Sequence, residues 1–195
     1  MSRLSLLASQ PKLALGALLT LLLAAAAVLG SGADFTASSA NPSNTFASGT
    51  LTIGNSKEGT AVLTASNLRP AGVAAVGTVD IQNSGSLSGT FTLSRTAPVD
   101  SDSGNPLSSK LNLTVVDCGQ FAGSTAPTCG DADDVTKYEG GTLAQMGTAG
   151  HAVASLGAFA GGDKHRYEFR VALDGSAGNA FQGDTSSVEF DFNAA

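Results

Sequence analysis

The sequence predicts an all-β protein: a single-domain, jelly-roll-like antiparallel β-sandwich behind a cleavable signal peptide. Three observations lead there. Short runs of alternating apolar and polar residues recur after the first thirty positions, the period of a half-buried strand. Clusters of Gly, Ser, Asn, Asp and Pro punctuate them at short intervals, as in sandwiches and barrels. No segment of the body sustains a helical period.

Taken in order, residues 1–33 read as the signal peptide. Arg3 and Lys12 carry the only charges before Asp34, and residues 13–30 (LALGALLTLLLAAAAVLG) are apolar without interruption. Small residues, Ser31-Gly32-Ala33, follow. A positive flank, an apolar middle and a small-residue exit form an export signal cut after Ala33. The run is just long enough to span a bilayer. Its many Ala and Gly residues and the lack of a following basic cluster favour removal over anchoring. The expected location is outside the cell, with membrane contact only through the signal.

Residues 34–44 (DFTASSANPSN) are polar and unpatterned, an exposed lead to the sandwich of residues 45–195. The run 46–53 alternates Leu51 and Ile53 with Thr50 and Thr52. Residues 60–68 place Val62 and Leu63 in a β-prone stretch. Residues 73–81 set Val73, Ala75, Gly77, Val79 and Ile81 on one face. After the turn Asn83-Ser84-Gly85-Ser86, Gly89–Arg95 offers Phe91 and Leu93 to the core. Residues 100–105 (DSDSGN) form a loop. Residues 110–118 present Leu111, Leu113 and Val115; 119–141 read mostly as loop; 142–146 are too short to assign. Residues 152–159 suit a strand or a helical turn. Lys164–Leu173 is the clearest strand, with Tyr167, Phe169, Val171 and Leu173 facing inward. Residues 177–183 read as a turn or short helix. The run 187–192 closes the chain with Val188, Phe190 and Phe192 inward.

Composition narrows the function. The chain has 10 basic and 16 acidic residues; losing Arg3 and Lys12 with the signal leaves 8 against 16, a net charge of −8. An acidic domain of this kind is ill suited to nucleic acid, where phosphate neutralisation dominates affinity. Cys118 and Cys129 are the only cysteines, and an exported chain with an even count points to a disulfide. The rival, a zinc site, needs more ligands than His151 and His165 provide at their spacing. Both histidines read as surface or strand-edge residues. No His-Glu-x-x-His string and no Gly-x-Ser-x-Gly elbow is present. Asp131, Asp133 and Asp134, with Glu139, form the densest acidic stretch. Oxygen ligands so spaced can hold calcium, although a solvated acidic loop is the preferred reading. Asn112-Leu113-Thr114 matches a glycosylation sequon but lies within a predicted strand, so it is read as coincidence. The residues themselves call for no cofactor and no catalytic group, which suits a binding or structural protein.

Four strings resemble the TasA/camelysin family: Thr45-Phe46-Ala47-Ser48-Gly49-Thr50-Leu51, Asn67-Leu68-Arg69-Pro70, Asn83-Ser84-Gly85-Ser86-Leu87 and Phe181-Gln182-Gly183-Asp184. Their order and spacing agree with the family as well. Three departures stand out. Ala71-Gly72 follows Pro70 where the family usually carries Gly-Asp, the chain is shorter than the fibre-forming members, and the Cys118–Cys129 loop is not general in them. The resemblance implies an exported, jelly-roll subunit of biofilm-matrix fibres, released by a dedicated signal peptidase and anchored by an accessory protein. It implies self-assembly in which the mature N-terminal segment, beginning Asp34-Phe35-Thr36-Ala37, adds as a strand to the next subunit. Some relatives carry a metalloendopeptidase label, which makes an enzyme the alternative; a monomeric cell-surface binding domain is a third.

Overall fold

The computed structural model describes Lys12, residues 15–22 and residues 48–195; Lys12 and residues 15–22 are helical. The cleavage position Ala33, the assembly residues Asp34, Phe35, Thr36 and Ala37, and the rest of the 34–44 lead lie outside the described residues. Among the described residues no helix is long and apolar enough to cross a membrane.

The body is an antiparallel β-sandwich, in agreement with the alternation read from the sequence. Its strands are β1 (Ile53–Asn55), β2 (Ala75–Asn83), β3 (Gly89–Arg95), β4 (Val99–Asp100), β5 (Leu111–Gln120), β6 (Val135–Thr142), β7 (Ala154–Phe159), β8 (Lys164–Leu173), β9 (Ser186–Ser187) and β10 (Phe190–Ala194). The larger sheet has the order β1-β2-β8-β5-β6, the smaller β10-β3-β7, and β4 pairs with β9 in a two-residue ribbon. The chain passes from one sheet to the other between β2 and β3, β6 and β7, and β7 and β8. This alternation is the jelly-roll-like feature of the fold.

Period 2 explains what each strand buries. In β2, Val79 and Ile81 face the core, and in β3 Phe91 and Leu93 do. Leu111, Leu113 and Val115 of β5 join Tyr167, Phe169 and Val171 of β8. The two sheets meet through aromatic rings: Phe91 on Phe159 within the smaller sheet (4.4 Å), and Phe169 of the larger sheet against Phe190 of the smaller (4.7 Å). Each fully buried aromatic or branched side chain contributes roughly 1.5–3 kcal/mol by leaving water. On the outer face Asp80 and Arg166 are register partners and form a bidentate pair at 2.7 and 3.1 Å. Glu168, on the outward face of β8 by period 2, is buried there between Thr78 and Val116 and pairs with Arg170.

Four expectations need correction. The run 46–53 gives only the three-residue β1. Residues 48–52 form no strand, because the Thr50 carbonyl accepts the Ser86 and Leu87 N–H groups of a turn instead of a ladder partner. Residues 60–68 form no strand either. Val62 and Leu63 both pack on the core, which adjacent strand residues on opposite faces cannot do. They reach it over Gly77, where a Cβ would run into the Val62 carbonyl and the Leu63 side chain. Within 119–141 the expected loop is residues 121–134, but 135–141 form most of strand β6 rather than loop. Val73 lies outside β2 and is exposed, so the inward face begins at Ala75. The undecided run 152–159 is the strand β7, and residues 177–183 contain a short 3₁₀ turn, Asn179–Phe181.

Asn83 ends β2 fully buried and builds the following turn. Its Nδ2 donates to the Leu87 and Phe159 carbonyls (2.7 and 3.2 Å), and its Oδ1 accepts the Gly85 N–H at 3.0 Å. Cys118 and Cys129 are joined, closing the loop between β5 and β6.

Candidate functional site

Two features rise above the general fold: an open strand edge and a buried ionic cluster.

The edge is β10, the outer strand of the smaller sheet. Thr90 and Ala195 exchange both backbone hydrogen bonds, at 2.8 and 3.1 Å, and the Thr96 N–H donates to the Glu189 carbonyl at 2.9 Å. Between them the register pairs Asn193 with Thr92 and Asp191 with Ser94. Hydrogen-bonded and non-bonded pairs alternate along an antiparallel ladder. Parity therefore turns the backbone of Asp191 and Asn193 toward β3. The N–H and C=O groups of Phe190, Phe192 and Ala194 point the other way. Among the described residues no backbone group pairs with these three. The rings of Phe190 and Phe192 pack against Phe169, and all three side chains are partly buried against the core. Beside them a cleft of about 360 Å³ runs between β10 and β1, lined by Ile53, Asn55, Glu58, Phe190, Asp191 and Phe192 among others.

The remaining edges are protected. β1 has three residues, and β4 and β9 two each. β6 is interrupted by two bulges against β5, with Gly140 at φ +74°. β7 carries a bulge against β3, and the Lys137 ammonium donates to its Leu156 carbonyl at 3.2 Å. Bulges and inward charges of this kind are how sheets blunt their margins. β10 has neither.

The cluster lies at the opposite flank and was invisible in the sequence. Asp117 of β5 faces inward opposite Tyr167, with only 5% of its surface exposed. His165 Nδ1 stands 3.0 and 3.1 Å from its two carboxylate oxygens, and Lys137 Nζ is 3.4 Å from Oδ2. The Gly119 N–H donates to Oδ1 at 3.0 Å. Two bulges assemble the group. Val115 opposes Tyr138 while Val116 opposes Thr136, so Lys137 is the extra residue of β6 and is re-aimed. A second irregularity between Asp117 and Gln120 brings His165 opposite Gln120. The His165 ring stacks on Phe159 (4.6 Å) and lies near Tyr167 (6.2 Å), so it is a half-buried member of the interior. This corrects the surface reading made from its sequence neighbours.

Electrostatics follow the geometry. Burial lifts the Asp117 carboxyl, but the His165 hydrogen bond, the Gly119 N–H and the charges of His165 and Lys137 outweigh it and hold its pKa below the usual carboxylate value. Burial, with the Asp117 charge, pushes the Tyr167 hydroxyl well above the normal phenol range; this hydroxyl has no hydrogen-bond partner among the described residues.

The acidic loop is not drawn into one centre. Asp131 accepts the Asp133 N–H at 3.0 Å, and Asp134 accepts the Gly130 N–H. These are turn-stabilising bonds. Among the described residues no group of three His, Cys, Asp or Glu side chains is placed to hold a metal ion. His151 lies in a separate turn, bridged to Thr148, where it and the Tyr138 hydroxyl crowd the space over Gly141. Asn112 of the sequon sits on β5 between β6 and β8, and its amide donates to Asp174 at 3.1 Å. No family model matches the chain, and no curated protein matches it.

Proposed function

We propose that this chain is a secreted structural subunit of extracellular, biofilm-matrix fibres, built by strand addition between copies. In this reading residues 34–44 of one subunit pair with the outward backbone of β10 in the next. The single observation that carries it is the unbulged edge of Phe190, Phe192 and Ala194, whose backbone groups are unpaired among the described residues. Three N–H and three C=O groups there can take up to six bonds, each worth about 0.5–1.5 kcal/mol net. An added strand would also cover the remaining exposure of the partly buried Phe190 and Phe192. Eleven extended residues span roughly 35 Å, ample for a five-residue edge. Phe35 is the lead's one large apolar side chain and would pack at the cleft's apolar part, formed by Ile53, Phe190 and Phe192. A head-to-tail contact that does not close a ring gives a filament.

Two local findings support the resemblance that underlies this reading. The described part of the first string meets the third: the Thr50 N–H donates to Ser86 Oγ at 3.0 Å, and the Thr50 carbonyl accepts the Ser86 and Leu87 N–H groups. Ala71, standing where the family carries glycine, has φ +52°, the left-handed conformation that glycine favours. The test is electron microscopy of the chain beginning at Asp34 beside the chain beginning at Thr45. Filaments from the first and dispersed, folded domains from the second are expected. Filaments from both would reject strand donation by the lead.

A further inference from the structure

We propose that Lys137 and Asp117 condense after folding into an intramolecular amide cross-link between Nζ and Cγ, with His165 supplying the proton that the departing oxygen needs.

The two side chains already meet. Lys137 Nζ is 3.4 Å from Asp117 Oδ2, which is bonded to the Cγ that it would attack, so the groups are held as neighbours within one molecule. Effective molarities in such arrangements reach about 10⁵–10⁸ M. The bulge in β6 exists at Lys137 itself and sends a long cationic side chain into the sandwich rather than to water. Only 18% of the Lys137 side chain and 6% of the Asp117 side chain remain exposed. An ion pair held this deeply forfeits solvation that mutual attraction recovers poorly. Condensation removes both charges at once.

The balance is closed. Ammonium and carboxylate, one charge of each sign, become a neutral amide and one water. Nζ bonds to Cγ, one Cγ–O bond breaks, and the oxygen leaves with two of the three ammonium protons. No oxidant or activating group is required. His165 Nδ1 touches both carboxylate oxygens, so whichever one departs can be protonated through the ring. Nζ must first shed one proton to gain the lone pair that attacks Cγ, and Oδ2, 3.4 Å away, receives it; the second Nζ proton leaves after attack and replaces the one the imidazole gave, so the ring ends as it began. The ring is held for this by its stacks on Phe159 and Tyr167.

The surroundings suit the product as well as the reactants. An amide keeps one N–H, which can go on donating to the Leu156 carbonyl. It keeps one oxygen, which can accept from Gly119 or His165. The link would tie the edge strand β6 to its interior neighbour β5 a few residues from the Cys118–Cys129 bridge. This flank would then carry two covalent ties, and the β10 flank none.

Intact mass of the folded chain, denatured just before measurement, decides the matter. The expected mass is one water below the sequence value, beyond the two hydrogens lost in the disulfide. A proteolytic fragment should join the peptide containing Asp117 to the one containing Lys137 after full reduction. Lys137→Arg and Asp117→Ala should restore the missing water. Asp117→Asn should close with loss of ammonia and give the wild-type cross-linked mass, a result that a purely structural role would not produce. His165→Gln should slow closure in refolding time courses. Should either substitution at Asp117 or Lys137 prevent folding, the wild-type mass still decides. Full sequence mass, less only the disulfide hydrogens, after prolonged incubation of folded wild-type protein overturns the proposal and leaves an ordinary buried ion pair.

Discussion

Two proline substitutions one residue apart in β10 should behave oppositely. Asn193 turns its N–H toward Thr92, whereas Ala194 turns its N–H away from β3. Asn193→Pro therefore removes a ladder bond, worth about 1 kcal/mol net, and leaves the Thr92 carbonyl unpaired, which costs roughly 1–3 kcal/mol more. Ala194→Pro removes a donor that the isolated domain does not use. Proline is tolerated where an edge N–H faces solvent, and Asn193 before it is already extended, as proline demands. The expected loss for Ala194→Pro is within about 1 kcal/mol. Its effect on assembly is the reverse of small. The pyrrolidine ring fills the place of an incoming strand and takes away one of three outward donors. Urea midpoints of the chain lacking residues 34–44 give the stability comparison. Light scattering of the mature chain gives the assembly comparison. Equal destabilisation by both prolines would refute the parity assigned to β10. Normal filament growth by Ala194→Pro would refute β10 as the acceptor.

Other consequences can be checked on the folded domain. Asp174 accepts the Ser176 hydroxyl and N–H and the Asn112 amide, in that order of influence, and its pKa is lowered to about 2. Its ionised form thus contributes stability in full above the unfolded value of 3.8, and the contribution fades as pH falls toward 2. Carboxylate-carbon NMR should show a midpoint near 2 that Ser176→Ala moves upward; a midpoint at or above 3.8 would contradict the assigned bonds. Cys118 and Cys129 should resist alkylation until reduced, and replacing both with Ala should cost about 3 kcal/mol by the chain-entropy argument for so short a loop. Unchanged thermal stability in that double variant would show that the bridge adds nothing to the fold.

The parts of the fold legible in the sequence are those where one strand face meets the core without interruption. Gly89–Arg95 and Lys164–Leu173 coincide with β3 and β8 because Phe91, Leu93, Tyr167, Phe169 and Val171 keep strict period 2. β6 escaped because its two bulges break that period, and the Gly140-Gly141 pair imitates a loop. The 60–68 stretch misled for the converse reason: Val62 and Leu63 are β-prone residues used to cover Gly77 from a loop. The open edge was implied in general by a sandwich, but its location in β10 depends on hydrogen-bond parity with β3. The ionic cluster could not be read at all. Asp117 and His165 are 48 residues apart, and Lys137 joins them only through an extra residue in β6. A lysine flanked by Thr136 and Tyr138 reads as outward until the bulge is seen. The disulfide needed no such geometry, since two cysteines allow one pairing.

Amide hydrogen exchange along β10, measured in dispersed chains and again in fibres, tests the acceptor edge most directly. The account predicts that the Asp191 and Asn193 amides are protected in both states, and that those of Phe190, Phe192 and Ala194 exchange freely in dispersed chains and become protected only on assembly. Outward amides that stay open in fibres, or that are already protected in dispersed domains lacking residues 34–44, would contradict it.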